Sequence, residues 1–502
     1  MSTVLSTVVD YVAHGESGVK RPSRSLLHLN SAPTLSGSGR STQPAQTAAN
    51  GAQEEFELQS AATDPPAPVD DPELRLPNRG SLAIMIATNA LLEFAFFVTI
   101  SSAAMYAEYL GGSALFSGLT IGIPAVTSGL ALIPLTRYDG GQYSLPLKVA
   151  YISVFLGSIL YAVAYRAHFL YLILIGRIVS GFGFSGFMYA KRYCSDPRII
   201  GIRRRTTLAS WLVLGQGFGF SVGPFVGGLL YKVGFSNQVF NGYTSSGWVT
   251  SFITVFFTIA SLYLFEDLPK PHRVFSSNSV ELGAASALAS APPVPAEVPV
   301  EQYGIWQLSG QQWGVIISMC WSSMSCFFVL SSWDSNIPIF TAAAFNYTPY
   351  AAGNFIALGG IATLPFLLAS VRYSPRFQDR TVLATGSVIG LTGLVLALVL
   401  LATDRVVFGS FYVCWVLVAL GFNLASTCTL SLLSKQLPNA WNSRTSVAIQ
   451  YSNYCGRVTG SILGGAGVQM GMKNYIAVQI GVVGVGALLH LTFWKQLKAK
   501  TG

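Results

Sequence analysis

Long apolar runs and short polar breaks alternate along the chain, and the runs are too long and too uniformly apolar for strands or surface helices. About 20 such residues cross the hydrocarbon of a bilayer as a helix. Twelve runs meet that standard: Ser81–Ala103, Ala114–Leu135, Leu147–Tyr165, Phe169–Ala190, Thr207–Tyr231, Ser246–Leu264, Trp313–Phe340, Tyr350–Val371, Val382–Ala402, Val406–Leu433, Ser446–Val468 and Tyr475–Phe493. Between the sixth and seventh, the stretch from Glu266 to about Gln311 is polar and rich in Pro and Ala, which reads as a linker. Before the first run, residues 1–79 are rich in Ser, Ala, Pro and Gly without periodicity, which reads as a disordered tail. The expected fold class is an all-α membrane protein: twelve transmembrane helices in two pseudo-symmetric six-helix bundles. The bundles occupy residues 80–265 and 312–502, with the linker at 266–311.

The fifth run shows how such helices meet. Gly215, Gly219, Gly223 and Gly227 fall four apart and share one helix face. A face without side chains lets another backbone come close, a recurrent mode of helix association in lipid. Pro224 removes a backbone donor within the same run. In the eleventh run, Gly456, Gly460, Gly464 and Gly465 repeat the spacing of Gly219, Gly223, Gly227 and Gly228, and Arg137-Tyr138 recurs as Arg372-Tyr373. Both pairs are separated by nearly half the chain, which supports a duplicated six-helix unit.

Composition agrees. Charged residues make up 10% and hydrophobic ones 51% of the 502 residues, so the chain cannot cover a water-facing surface of ordinary charge density, about 25%. The net charge of +9 does not point to nucleic acid, because Lys and Arg gather in short loops. One set of alternate loops holds Arg137, Lys148, Lys191, Arg192, Arg198, Arg203–Arg205, Arg372, Arg376, Arg380, Lys435 and Arg444. The opposite set holds Arg166, Lys232, Arg405 and Lys473. The more basic side is expected to face the cytosol, with both termini and the linker. The six cysteines lie in or beside apolar runs and read as free thiols packed as small hydrophobes. No nucleotide loop, metal-ligand cluster or nucleophile–base arrangement is visible, so neither an enzyme nor a cofactor is expected.

Few ionisable residues fall inside the runs, and each is a functional candidate because its burial in lipid is costly. They are Glu93, Arg177, Asp334 and Arg457. Glu93 and Asp334 are candidates to carry a proton; Arg457, as a fixed cation facing a cavity, would favour an anion. Arg177 precedes Gly181 by four residues. The tenth run keeps a glycine at Gly421 but has Leu417 four residues earlier, so the arginine is not part of the repeated packing. A structural ion pair between helices is the alternative reading of Arg177. Trp333, Asn336 and Pro338 around Asp334 suggest a broken polar stretch lining a cavity.

Gly219 to Gly228 matches the fifth-helix signature of the major facilitator superfamily, Gly-x-x-x-Gly-Pro-x-x-Gly-Gly, and Gly176-Arg177 to Gly183 resembles its fourth-helix motif. A closer resemblance is to the branch holding vacuolar phosphate transporters with an SPX domain and the lysosomal facilitator protein of the ceroid-lipofuscinosis group. It rests on Arg177, Gly181, Gly183, Lys191-Arg192-Tyr193, Ser195-Asp196, Arg203–Arg205 and Ala209, and on Cys455-Gly456-Arg457-Val458-Thr459-Gly460. That resemblance implies a secondary transporter, a monomer, moving a small-molecule solute such as phosphate or another anion across a vacuolar or lysosome-like membrane by alternating access, with proton coupling. It does not extend to an SPX domain, since the tail is too short. The loop after the second run departs from the superfamily pattern, with Thr136 before Arg137 and Asp139 after it. An exporter of drugs or metabolites, an anion channel and a non-transporting scaffold are the other classes the sequence allows.

Overall fold

The computed structural model describes residues 75–196, 198–235, 237–268, 308–373, 378–437 and 441–498; most of the tail and linker lies outside them. Twelve helical rods follow one another: α1 (Arg79–Tyr109), α2 (Ala114–Tyr138), α3 (Ser144–Ala167), α4 (Leu170–Ser195), α5 (Ile202–Val233), α6 (Ser245–Leu264), α7 (Gly310–Phe345), α8 (Pro349–Tyr373), α9 (Asp379–Ala402), α10 (Phe408–Gln436), α11 (Asn442–Ala466) and α12 (Met472–Thr492). Eleven are long and apolar enough to cross a membrane. Helix α11 has the length but carries Arg457 and a run of polar residues, so it is less apolar than the others. Among the described residues, 75–76 and 198–207 belong to a small separate unit, where the Gly201 amide donates to the Arg75 carbonyl at 3.0 Å.

Two helices are interrupted. α1 breaks at Val98–Thr99, one turn after Glu93, and α4 breaks at Ser185. Pro124, Pro224, Pro338 and Pro365 sit inside helices that continue past them. Each proline leaves the carbonyl four residues earlier without its usual donor, and that carbonyl needs another partner.

The packing repeats. In the first half α3 packs on α4, α2 on α4, α3 on α6 and α1 on α6; in the second α9 packs on α10, α8 on α10, α9 on α12 and α7 on α12. The glycine faces carry the remaining pair in each half. A Cβ at Gly219 would fall 2.7 Å from the Ala90 carbonyl oxygen and the Phe94 amide of α1. At Gly223 it would fall 2.7 Å from Phe97 Cβ, and at Gly227 it would run into the Val98 carbonyl. Gly456, Gly460 and Gly464 of α11 meet the Met324, Phe328 and Ser332 carbonyls of α7 in the same manner. Gly228 faces the other bundle, where a Cβ would fall 2.9 Å from Tyr350 Cα of α8.

The register of α10 differs from the sequence expectation. Gly181 packs on Pro124 of α2, whereas Gly183 packs on α3, where a Cβ would fall 2.6 Å from the Ala150 carbonyl oxygen. Gly421 packs on Gly386 and Gly390 of α9, so it is the counterpart of Gly183. By packing, then, the residue matching Arg177 is Trp415, not Leu417. The cysteines divide as well: Cys194, Cys326, Cys414 and Cys428 are buried, but Cys455 lies on an exposed face of α11.

The loop after α2 is tied to its own bundle. Asp139 is buried, accepts from Arg192 Nη1 at 2.8 Å and from the Tyr189 hydroxyl at 3.0 Å, and caps the Gly141 amide at 2.8 Å. Arg137, in the last turn of α2, is exposed.

Adding side-chain volume at the glycine faces should force the backbones apart. Gly227→Val and Gly460→Val are each expected to cost about 1–3 kcal/mol, the usual penalty of overpacking. Gly484→Ala on α12, where a Cβ meets nothing within 4 Å, should be neutral or slightly stabilising. Thermal melts of the purified variants in detergent separate these outcomes.

Candidate functional site

A cavity of about 160 Å³ lies between the two bundles. Its walls follow helical periodicity, each helix giving one stripe. α1 supplies Glu93, Phe96 and Phe97, and α7 supplies Phe327, Leu330, Ser331 and Asp334. α11 supplies Gln450, Asn453, Tyr454 and Arg457. Stripes from α5, α8 and α10 complete the ring, and α4 adds Phe184, Phe187 and Lys191.

The centre of the site is an ion pair between bundles. Arg457 Nη2 of α11 donates to Glu93 Oε1 of α1 at 3.4 Å, with side-chain exposures of 20% and 6%. The Arg457 guanidinium also lies over the rings of Phe96 and Phe327, 5.1 Å from each centroid. Aromatic faces attract a cation and shield it from water. Glu93 is thus held on one oxygen only, for Oε2 has no hydrogen-bond partner among the described residues.

Two further charges share this space. Asp334 is 5% exposed, lines the cavity, and has one carboxylate oxygen without a partner. Arg457 and Glu93 are the charged groups that act on it. Lys191, near the end of α4, projects into the cavity, where Glu93 and Arg457 act on it; its ammonium makes no ion pair among the described residues. Lys191 was grouped with the loop charges in the sequence reading. Its helical phase could have revealed it, because Phe184, Phe187 and Lys191 share one face.

The structure divides the other candidates. Trp333 and Asn336 do not line the cavity, correcting the expectation drawn from the polar stretch. Trp333 is 1% exposed, donates from Nε1 to Gln479 Oε1 at 3.0 Å and stacks on Phe411 at 5.3 Å. Asn336 donates to the Gly464 carbonyl at 3.0 Å. The cause is the 100° turn per residue: Asp334 faces the seam, and its neighbours face the interior of their own bundle. Arg177 also lies off the cavity wall, deep within the first bundle. Its Nε donates to the Thr120 carbonyl at 3.1 Å, the carbonyl that Pro124 leaves without an in-helix donor.

At one end the bundles close around the cavity. A Cβ at Gly118 would fall 3.1 Å from the Gly465 backbone and one at Gly122 3.2 Å from the Val458 backbone, so these glycines let α2 close on α11. Across the seam, Gly353 meets Pro224 and Gly217 meets Leu364, joining α8 to α5. Further along α2 and α11, Ser128 Oγ donates to the Tyr454 hydroxyl at 2.7 Å and the Tyr451 hydroxyl donates to the Gly129 carbonyl at 2.9 Å. The cavity runs the other way, toward Lys191 and the end where the basic residues collect.

Twin six-helix bundles with a charged cavity at their seam define a class of multi-pass membrane transporters. Solved structures share the architecture. A bacterial homologue of the human lysosomal transporter Spinster, inward-facing and unoccupied, superposes with a TM-score of 0.57, covering 83% of this chain and 97% of that one at 14% identity. A peptide transporter POT gives 0.58, with 84% and 97% coverage at 16% identity. At these identities the likeness concerns the fold. The family model of the Major Facilitator Superfamily matches residues 82–461, and the chain belongs to that superfamily. An uncharacterized MFS-type transporter of Schizosaccharomyces pombe is 30% identical over 457 residues, covering 89% of this chain and 88% of that protein. An SPX domain-containing membrane protein of Arabidopsis thaliana is 26% identical over 349 residues, 62% of this chain and 49% of that protein. The related branch is therefore the one the sequence resembles.

Removing one member of the inter-bundle pair strands the other in a poorly solvated site. Arg457→Gln and Glu93→Gln should each destabilise the protein, toward the low end of the roughly 3–5 kcal/mol typical of a broken buried pair, since Arg457 is partly exposed. The double variant should recover about 0.5–3 kcal/mol of the summed loss. A double-mutant cycle by chemical or thermal unfolding measures this, and strict additivity would show the two groups to be uncoupled.

Proposed function

We propose that the protein moves a small inorganic anion, such as phosphate, by proton-coupled alternating access across a vacuolar or lysosome-like membrane, working as a monomer with both termini in the cytosol. One observation carries the reading: Arg457, tied to Glu93, and Lys191, without an ion pair among the described residues, face one cavity. An anion entering from the basic end meets Lys191 first. Protonation of Glu93 frees the guanidinium, which then has two donors to offer an oxyanion in a planar fork. Loss of the proton returns Glu93 to Arg457 and expels the anion. Asp334, close to both, is a second carboxylate that can take up a proton in the same cycle. The basic loops support cytosolic termini. The motifs shared with the branch of vacuolar phosphate transporters, Arg177 to Gly183 and Cys455 to Gly460, support the anion class and the membrane by resemblance.

A second reading has its own support. Six phenylalanines, Phe96, Phe97, Phe184, Phe187, Phe220 and Phe327, line the cavity. Such a wall suits an apolar or aromatic solute carried by an exporter.

Proteoliposomes separate the two. Under an imposed pH gradient, uptake of inorganic phosphate should exceed that of an aromatic cation. Arg457→Ala and Lys191→Ala should each lower phosphate uptake by at least about tenfold, the effect of losing one charge-assisted hydrogen bond. Glu93→Gln should keep phosphate exchange but lose its response to the gradient. Aromatic-solute transport that ignores Arg457→Ala would replace the anion reading with the exporter.

A further inference from the structure

Asp334 stands on the wall of the central cavity, is 5% exposed, and keeps Oδ1 buried without a hydrogen-bond partner among the described residues. Buried polar groups are normally satisfied, so an acceptor left over on a cavity wall needs a physical account. Packing does not supply one. Val98 and Ser101 of α1 meet Gly227 as Ser332 and Ser335 of α7 meet Gly464, so the place matching Asp334 in the first half is Ile100. Ile100 is fully buried and apolar, and the repeated helix contact is made there without a carboxylate.

Neighbouring contacts fix its depth. Phe327, Ser331 and Asp334 all line the cavity and form one stripe of α7, at i, i+4 and i+7. Arg457 lies over the Phe327 ring, 5.1 Å from its centroid. The Ser331 hydroxyl shares a 2.6 Å hydrogen bond with Ser461, one turn beyond Arg457 on α11. Asp334 is two turns past Phe327, about 10 Å further along the helix axis. Gly464, beside Ser332 and Ser335, is followed by Gly465, where α2 closes on α11. The cavity thus runs from Lys191 at its mouth, past Arg457 and Glu93, to Asp334 at its closed end.

Along that path the wall changes its hydrogen-bonding character. Lys191 and Arg457 only donate, whereas the amide of Gln450 and the hydroxyl of Ser426 donate or accept as needed. An ionised carboxylate only accepts. Glu93 already has the guanidinium of Arg457, but Asp334 Oδ1 has no donor. The middle of the cavity therefore calls for negative charge, and its closed end calls for a proton donor.

We propose that Asp334 is a specificity-determining residue of this site, selecting oxyanions that keep a hydroxyl, such as phosphate, against those that have none, such as sulfate. This rests on the anion reading given above and adds to it a rule of selection. Phosphate near neutral pH is negative yet retains a hydroxyl, so it can accept from Arg457 and donate to Asp334. Sulfate has the same tetrahedral shape but no proton left, and it sets a bare oxygen against the carboxylate. A site that hydrogen-bonds a hydroxyl rejects the analogue lacking it steeply, because its own buried group is then left unpaired.

The test is competition against labelled inorganic phosphate bound at equilibrium to the full chain in nanodiscs. Arsenate, which also keeps a hydroxyl at neutral pH, should compete much as phosphate does. Sulfate and selenate should be weaker by at least about a hundredfold. Asp334→Asn keeps the size, removes the charge and offers an N–H to an anion oxygen. Sulfate should therefore gain at least about tenfold in that variant while phosphate changes little. Damaged folding cannot produce a gain, and a thermal melt of the variant checks that it is folded. Sulfate competing as well as arsenate against the wild-type protein would overturn the selectivity without any variant and leave the anion reading standing. A folded Asp334→Asn protein that keeps the full preference for phosphate, or that no longer binds phosphate, would overturn it too. Failure of the folded wild-type protein to bind phosphate would overturn both.

Discussion

An arginine cannot be left alone where water is scarce, and much of this molecule follows from where Arg457 finds relief. It reaches across the seam to Glu93 and rests between the rings of Phe96 and Phe327. The pair joins α11 of one bundle to α1 of the other, so the electrostatic demand of one side chain becomes a tie between bundles. Elsewhere the seam is held by glycine faces, a few hydroxyl contacts and the Lys232 ammonium of α5 over the Tyr350 ring of α8 at 4.4 Å. Those contacts fix how close the helices come; the ion pair fixes what the space between them attracts.

The duplicated architecture makes the asymmetry of that chemistry easy to see. Gly219 meets the Phe94 amide of α1, and Gly456 meets the Phe328 amide of α7. The residues beside these contacts are therefore equivalent: Glu93 corresponds to Phe327, and Arg457 to Phe220. One diagonal of the seam carries an ion pair and the other two phenyl rings, all four lining the same cavity. The backbone keeps the twofold plan while the side chains have abandoned it. A solute in such a space meets charge on one side and carbon on the other.

The fold was legible because lipid leaves few options. Length and apolarity mark all twelve runs, and the four-residue glycine spacing marks the faces of α5 and α11 that meet α1 and α7. The site was legible only in part. Glu93, Arg457 and Asp334 stood out as charges in apolar runs, and the structure brings them together. Their pairing was not readable, since Glu93 and Arg457 are 364 residues apart and only the docking of two bundles makes them neighbours. Lys191 was hidden among loop charges because it lies near a helix end, where a basic residue normally reports topology. Trp333 and Asn336 misled because polarity was read along the chain when exposure on a helix is set around it. The register of α10 failed for a similar reason: two glycines, Gly181 and Gly183, face different neighbours, and spacing alone does not say which is repeated.

The two lines of contact between bundles differ in a way that bears on movement. Along α2 and α11 the contact continues from Gly118 and Gly465 to Gly129 and Tyr451. Between α5 and α8 the close glycine approaches run from Gly228 and Tyr350 only to Gly217 and Leu364. Beyond that point Val213 and Leu367 line the cavity instead. Rocking of the kind proposed would therefore use the continuous α2–α11 line as its axis and open or close the gap between α5 and α8. The α5–α8 approaches are made by backbone and carbon, so parting them breaks no ion pair. The costly contact, Arg457 to Glu93, lies at the cavity and is the one a proton or an anion can relieve. In the proposed cycle, ligand chemistry and bundle motion would meet in that single bond, and the seams without an ion pair would be free to follow.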